Sequence, residues 1–260
     1  MNIELAKKEF KNYLEQYDKE NYKIKQKMIH TYHVAKMSKY LAEKLNLSNQ
    51  QIELAELIGL LHDIGRFEQL KQYNSTEDYN TMDHAVYGVK VLFEDNLIRK
   101  FIKEDKFDEI IYKAIINHNK FEIEKDEMNG EELLQSKLIR DSDKIDNFRL
   151  QAEEDPASLL LTQTDKLEKE EITKEVYQWL IEQKLVIFNR RKTNVDKWIS
   201  LVGFLYDLNF KESLEYIKEK GYLTKAIHKI DYKNLDTIEK VKQIEKVANE
   251  YMMQEKKENY

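Results

Sequence analysis

Apolar residues recur at three- and four-residue spacing along almost the whole chain, with polar residues between them, and this period predicts helices. The first predicted helix covers about residues 2–18, the second Ile24 to Leu45, and the third Ser48 to Asp63. Ser48 suits an N-cap and Gly65 a helix stop. Residues 71–82, KQYNSTEDYNTM, carry no apolar period and read as a polar loop. Helices are expected again over about 83–95, 107–118 and 131–147. An acidic stretch, QAEED, then leads to Pro156, the clearest seam in the chain. Beyond it the period predicts helices near 172–183, 195–206, 211–220 and 235–254. There is no internal repeat and no low-complexity linker.

Composition narrows this picture. A chain of 260 residues is ample for one large domain or a domain with a helical extension. With 41% hydrophobic and 35% charged residues it belongs among soluble globular chains. One proline and six glycines favour long helices over a turn-rich β-fold. The absence of cysteine excludes disulfides and thiolate metal sites, so a metal would have to be held by imidazole and carboxylate. A formal net charge of −6 argues against a nucleic-acid partner. No stretch approaches the ~20 apolar residues of a membrane span. MNIELAKKEFKNYLEQY reads as a charged amphipathic helix rather than a signal peptide, so the cytoplasm is the expected location.

Some features have a plain reading beside a sharper one. Ile238, Val241, Ile244, Val247 and Ala248 form one stripe that suits packing within its own domain, or a homodimer contact. Trp179, Trp198 and Phe204 read as core rather than as ligand-stacking groups.

The six histidines sort by helix geometry. His30 shares a row with Val34, Met37, Leu41 and Leu45 and should point inward, whereas His33 lies beside that face with Lys36 and Tyr40. His118 extends the row Ile111, Ala114, Ile115. His84 shares a face with Gly88, Val91 and Leu92, and Asp143 one with Ile139 and Asp146. His62 and Asp63 close a very apolar segment, LIGLLHDIG. A lone histidine on an apolar face is an ordinary core group. A carboxylate after five apolar residues is costly to bury without a partner, and a metal ion would offset that cost. Four inward histidines and two inward acids are hard to explain by packing alone.

Read in order, His30 within HTYHV, His62-Asp63 within LLHDIGR and Asp143 within RDSDKID resemble the H…HD…D signature of the HD superfamily of metal-dependent phosphohydrolases. His84 within DHAVYGV and His118 within AIINHNK resemble the two further histidines of its dinuclear branches, which include HD-GYP phosphodiesterases. The resemblance covers roughly residues 25–150, and the later VDKWISLVGFLYDLNF also looks like the tail of bacterial HD-domain proteins. It implies an all-α HD-domain helical bundle with additional C-terminal helices: residues 1–150 as the metal-binding core and 151–260 as an extension packed on it. It also implies that His30, His62, Asp63 and Asp143 hold one metal, and His84 and His118 a second, with Asp63 bridging. The superfamily places its first ligand before a Thr-x-x-Val pattern, which selects His30 over His33. The GYP segment and paired histidines are absent, with Asn117-His118 where the pair would stand, which argues against cyclic di-GMP hydrolysis. IGRFE stands where (p)ppGpp hydrolases of the superfamily carry a Glu-Asp pair, which argues against that activity too.

The expected chemistry is metal-dependent hydrolysis of a phosphomonoester or phosphodiester, with a nucleotide as substrate and one or two divalent ions among iron, manganese, magnesium, zinc and nickel. Asp63 is central to it, Arg66 is a candidate phosphate clamp, and Lys144 is a second. Asp146 is placed to orient a ligand histidine, and the Lys71–Met82 loop to cap the pocket. Two other classes fit the same residues: a di-iron HD-type oxygenase and a non-catalytic nucleotide-binding HD protein.

Overall fold

The computed structural model describes residues 1–254, and every regular element among them is helical. Two compact units arise, Met1–Asp143 and a second from Lys144 onward.

The first unit holds α1 (Ile3–Leu14), α2 (Tyr22–Lys44), α3 (Asn49–Leu61), α4 (Ile64–Tyr73), α5 (His84–Val89), α6 (Ile98–Phe101), α7 (Asp108–Asn117) and the start of α8 (Gly130–Glu153). Its elements begin where their caps dictate. Asn21 caps α2 by accepting from Lys23 and Ile24. Ser48 and Gln51 form a capping box at the start of α3, as the sequence predicts. α2 packs along α3, α4 against α5, α5 against α7, and α1 against α3 and α6. The shared core includes Phe10, Leu14, Leu57, Leu61, Phe67 and Ile115. That burial supplies the main drive for assembly. α3 is buried along most of its length, Leu54 to Leu61, so the residues that follow it are carried into the centre of this unit.

One expectation is corrected here. Gly65 does not stop a helix; it lies in the first turn of α4, and the chain runs on helically to Tyr73. A Cβ at Gly65 would sit 2.2 Å from the His84 carbonyl oxygen and 2.7 Å from the Gly88 nitrogen. The glycine therefore serves close approach of α4 to α5 rather than a left-handed cap. The polar loop is correspondingly shorter than its composition suggests.

The second unit contains the rest of α8, then α9 (Pro156–Leu159), α10 (Thr164–Lys169), α11 (Lys174–Ile181), α12 (Asn194–Ile199), α13 (Lys211–Lys220), α14 (Tyr222–Ile227) and α15 (Leu235–Met253). Pro156 opens α9 at a position where its missing N–H costs nothing. Trp198 is core, with its indole N–H donating to the Ala226 carbonyl at 2.9 Å, while Trp179 and Phe204 are half-buried. Val241, Ile244 and Ala248 of the α15 stripe are buried inside this unit.

Candidate metal centre

Five of the six residues expected to hold metal are placed in the first unit by three helices and the α3–α4 junction, and the sixth, Asp143, closes that unit on α8. His30 lies mid-way along α2 and is buried with Val34 and Leu41, whereas His33 is exposed. His62 is the C-cap of α3, its amide donating to the Ile58 carbonyl. Asp63 takes the N-cap position of α4, yet its side chain caps nothing. That carboxylate is 2% exposed and turns inward instead. His84 opens α5, whose N-cap Asp83 accepts from the amides of Ala85 and Val86. His118 is the C-cap of α7.

These side chains converge on Asp63. Its Oδ2 lies 3.0 Å from His62 Nε2 and 3.4 Å from His30 Nε2. Its Oδ1 lies 3.2 Å from His84 Nε2 and 3.8 Å from His118 Nε2. His30 Nε2 also meets Asp143 Oδ1 at 3.1 Å. Two groups of ligand atoms are thus each gathered within 4.8 Å: His30, His62 and Asp63, and Asp63, His84 and His118.

The tautomers follow from the partners behind each ring. His62 Nδ1 is 2.8 Å from the Gly59 carbonyl, and His118 Nδ1 is 2.6 Å from the Ile115 carbonyl. His84 Nδ1 is 2.7 Å from Asp78 Oδ2. Carbonyls and carboxylates only accept, so Nδ1 carries the proton in all three rings and Nε2 presents its lone pair to the centre. His84 Nε2 and His118 Nε2 then face each other at 2.9 Å, acceptor to acceptor. His62 Nε2 and Asp63 Oδ1 are buried without a hydrogen bond of good geometry. Lone pairs turned inward on a buried carboxylate suit a cation and not an apolar core. The donor set, imidazole nitrogen and carboxylate oxygen, suits a divalent ion of the transition series or magnesium.

Electrostatics agree. Burial works to raise the Asp63 carboxyl, but the imidazoles gathered around it and the Lys27 ammonium hold it well below the usual carboxylate range. Burial likewise opposes ionisation of Asp143, and the hydrogen bond and charge of His30 outweigh it and leave Asp143 well below that range. His118 is pushed down to about 4, chiefly by burial, against the pull of Asp63. Neutral imidazoles and ionised carboxylates are the forms that bind metal.

The remaining candidates fare differently. Arg66 lies beside the centre: its Nε is 3.8 Å from Asp63 Oδ1 and its Nη2 donates to His84 Nε2 at 3.1 Å. Its Nη1 is held by Asp78 Oδ1 at 2.6 Å, Gln69 Oε1 at 2.6 Å and the Thr76 carbonyl at 2.8 Å. Lys144 is grouped with the second unit, where its Nζ pairs with Asp207 at 2.8 Å and lies over the Phe204 ring. Asp146 receives Arg149 through both oxygens, at 2.6 and 3.1 Å.

Three contributors escaped the sequence reading. Lys27 Nζ pairs directly with Asp63 Oδ2. Its signal was available, because Lys27 precedes His30 by one turn on the same face. Asp78 lies in the polar loop, where no periodicity singles it out. Arg140, 2% exposed, donates to the carbonyls of Asn117, Lys120 and Phe121 at 3.0, 2.5 and 3.2 Å and so fixes the segment that follows His118.

An all-helical fold with buried His/Asp clusters, able to coordinate one or two divalent ions, is suited to metal-dependent hydrolysis of a phosphate-containing substrate. The HD domain family model matches residues 28–170, more than half of the chain, and the protein belongs to that family. No curated protein and no solved structure matches it. No helix among the described residues is long and apolar enough to cross a membrane.

Proposed function

We propose that this HD-domain protein hydrolyses a phosphomonoester or phosphodiester of the nucleotide class in the cytoplasm, with residues 1–150 as its catalytic core. The observation that carries the reading is the division of Asp63: Oδ2 faces His30 and His62, and Oδ1 faces His84 and His118. In this reading His30, His62, Asp63 and Asp143 would hold one divalent ion, and Asp63, His84 and His118 would hold a second. Bound ions of this kind neutralise phosphoryl oxygens and make water nucleophilic near neutral pH.

The chain's own residues supply the rest. The Gly59 and Ile115 carbonyls and Asp78 fix three imidazoles in the tautomer that donates Nε2 inward. Arg66, anchored by Asp78 and Gln69 at the edge of the cluster, offers its guanidinium to a phosphate. Lys144, paired with Asp207, is a weaker candidate for that role. Burial of the cluster strengthens each of these interactions relative to water.

The test compares wild type with Asp63→Ala for metal content and for phosphate release from a panel of nucleotides and generic phosphate esters, each divalent metal supplied singly. Wild type is expected to hold metal and release phosphate, and the variant to lose both. Undiminished metal and turnover in the variant would sink the reading.

A further inference from the structure

His84 differs from the other two rings in what stands behind it. The Nδ1 groups of His62 and His118 rest on backbone carbonyls of their own helices, Gly59 and Ile115. Those acceptors move only if the helix moves. The Nδ1 of His84 rests on a side chain, Asp78 Oδ2, at 2.7 Å. Asp78 is six residues away, in the short 3₁₀ turn Asp78–Asn80 of the segment between α4 and α5.

That carboxylate is itself built in. Its Oδ1 accepts from Arg66 Nη1 at 2.6 Å and Gln69 Nε2 at 3.0 Å, and its Oδ2 from Asn119 Nδ2 at 3.5 Å. Gln69 is fully buried and also donates to Thr81 Oγ1 at 2.7 Å and the Met82 carbonyl at 2.8 Å, which pins the turn at both ends. Asn119 reaches Asp83 Oδ1 at 3.1 Å from the segment just after His118. One carboxylate therefore joins α4, the turn, the start of α5 and the chain beyond α7. Neighbours on the turn face outward: Tyr79 is 90% exposed.

Resting on the two-ion reading above, we propose that Asp78 is a positioning residue that holds His84 as a donor to the second divalent ion, so that the turn decides whether the centre binds one ion or two. A carboxylate behind an imidazole fixes its orientation and raises its basicity as a ligand. Nothing comparable is needed on the His62 side, where the helix backbone does the same work. The segment that composition marks as a pocket cap is on this view a part of the metal centre.

The test uses the full chain, stripped with chelator and reloaded with manganese, followed by calorimetry and by the exchange-coupled EPR signal of a manganese pair. Wild type should bind two ions. Asp78→Asn, which keeps the shape and removes the charge, should bind the first ion as wild type does and the second roughly 10–100-fold more weakly, with the coupled signal lost at low loading. Asp78→Glu should recover part of the second-site affinity, and Glu77→Gln, on the same turn, should change neither site. Imidazole nitrogen NMR of metal-free Asp78→Ala gives a second measurement: the His84 resonances should move and those of His62 and His118 should not. Two sites of wild-type affinity in Asp78→Asn would overturn the proposal, as would an equal weakening of both, which marks a general structural role. Wild type that binds a single ion would overturn it together with the two-ion reading, and wild type that binds none would overturn the metal reading itself.

Discussion

Around Asp63 Oδ2 the surrounding histidines come from firm ground. His30 lies within a helix of 23 residues, and His62 ends a helix that is buried from Leu54 onward. Around Oδ1 they come from ends and turns. His84 opens a helix of six residues, and His118 follows the last residue of α7. The first side is held by helix backbone and apolar packing. On the second, His84 is held by a polar network of Asp78, Arg66 and Gln69, and His118 by the Ile115 carbonyl with Arg140 fixing the segment that follows it. Packed helices resist small perturbations, whereas a network of side chains fails when one member is lost. The second side should therefore be the more easily emptied of metal, and the first the one on which all activity depends.

The largest expected effect separates the two sides directly. His62→Ala should abolish turnover and lower the affinity of the first ion by at least ~10²-fold, since a lost ligand exceeds the 10–100-fold cost of a lost supporting partner. His84→Ala should leave one ion bound. Metal analysis after gel filtration, run on both variants, checks this. Equal loss from both would erase the distinction between the sides.

A second effect is seen in the metal-stripped protein as pH falls. His118, on the Oδ1 side, titrates near 4 when folded against an ordinary value of 6.5. Its depressed pKa means that the unfolded chain binds the proton first. Stability is thus fully present above about pH 6.5 and declines as pH falls towards 4, by an amount on the order of 3 kcal/mol. Asp63 and Asp143, held below the usual carboxylate range, extend the loss at lower pH. Chemical denaturation between pH 7 and pH 4 measures it. A flat profile over that window would show that the buried Oδ1 side does not hold its imidazole neutral.

How much of this was legible in the sequence follows the same division. The rows of α2 and α3 made His30, His62 and Asp63 readable as inward groups, because a long helix fixes the direction of every side chain on it. The separation of His30 from exposed His33 was legible for that reason. The shorter rows of α5 and α7 also turned His84 and His118 inward, and the chain-order resemblance added their role at a second metal. Lys27 is legible on the α2 face, one turn before His30. Asp78 and Gln69 were not readable, since a turn has no period and its contacts are made across the fold. Lys144, the second phosphate candidate of the sequence, pairs with Asp207, a contact that no helical period announces.

The smallest expected effect tests how the second side is held in place. Gly65 lets α4 approach the first turn of α5, and a methyl group there would lie 2.2 Å from the His84 carbonyl oxygen. Both partners are backbone, so neither yields without moving its helix. Gly65→Ala should cost roughly 1–3 kcal/mol, the usual range for forcing a methyl group into a packed site. It should also weaken the second ion more than the first, because the clash bears on the residue that carries the His84 ring. Gly130→Ala is the matched control: it lies at the start of α8 with no atom within 4 Å of an added Cβ. There the substitution should be neutral or slightly stabilising, since alanine has less freedom to lose on folding. Thermal melts of both variants, with manganese titrations beside them, decide the matter. If Gly65→Ala melts lower yet binds both ions like wild type, then the α4–α5 contact serves stability alone, and the precision of the Oδ1 side rests on the Asp78 network.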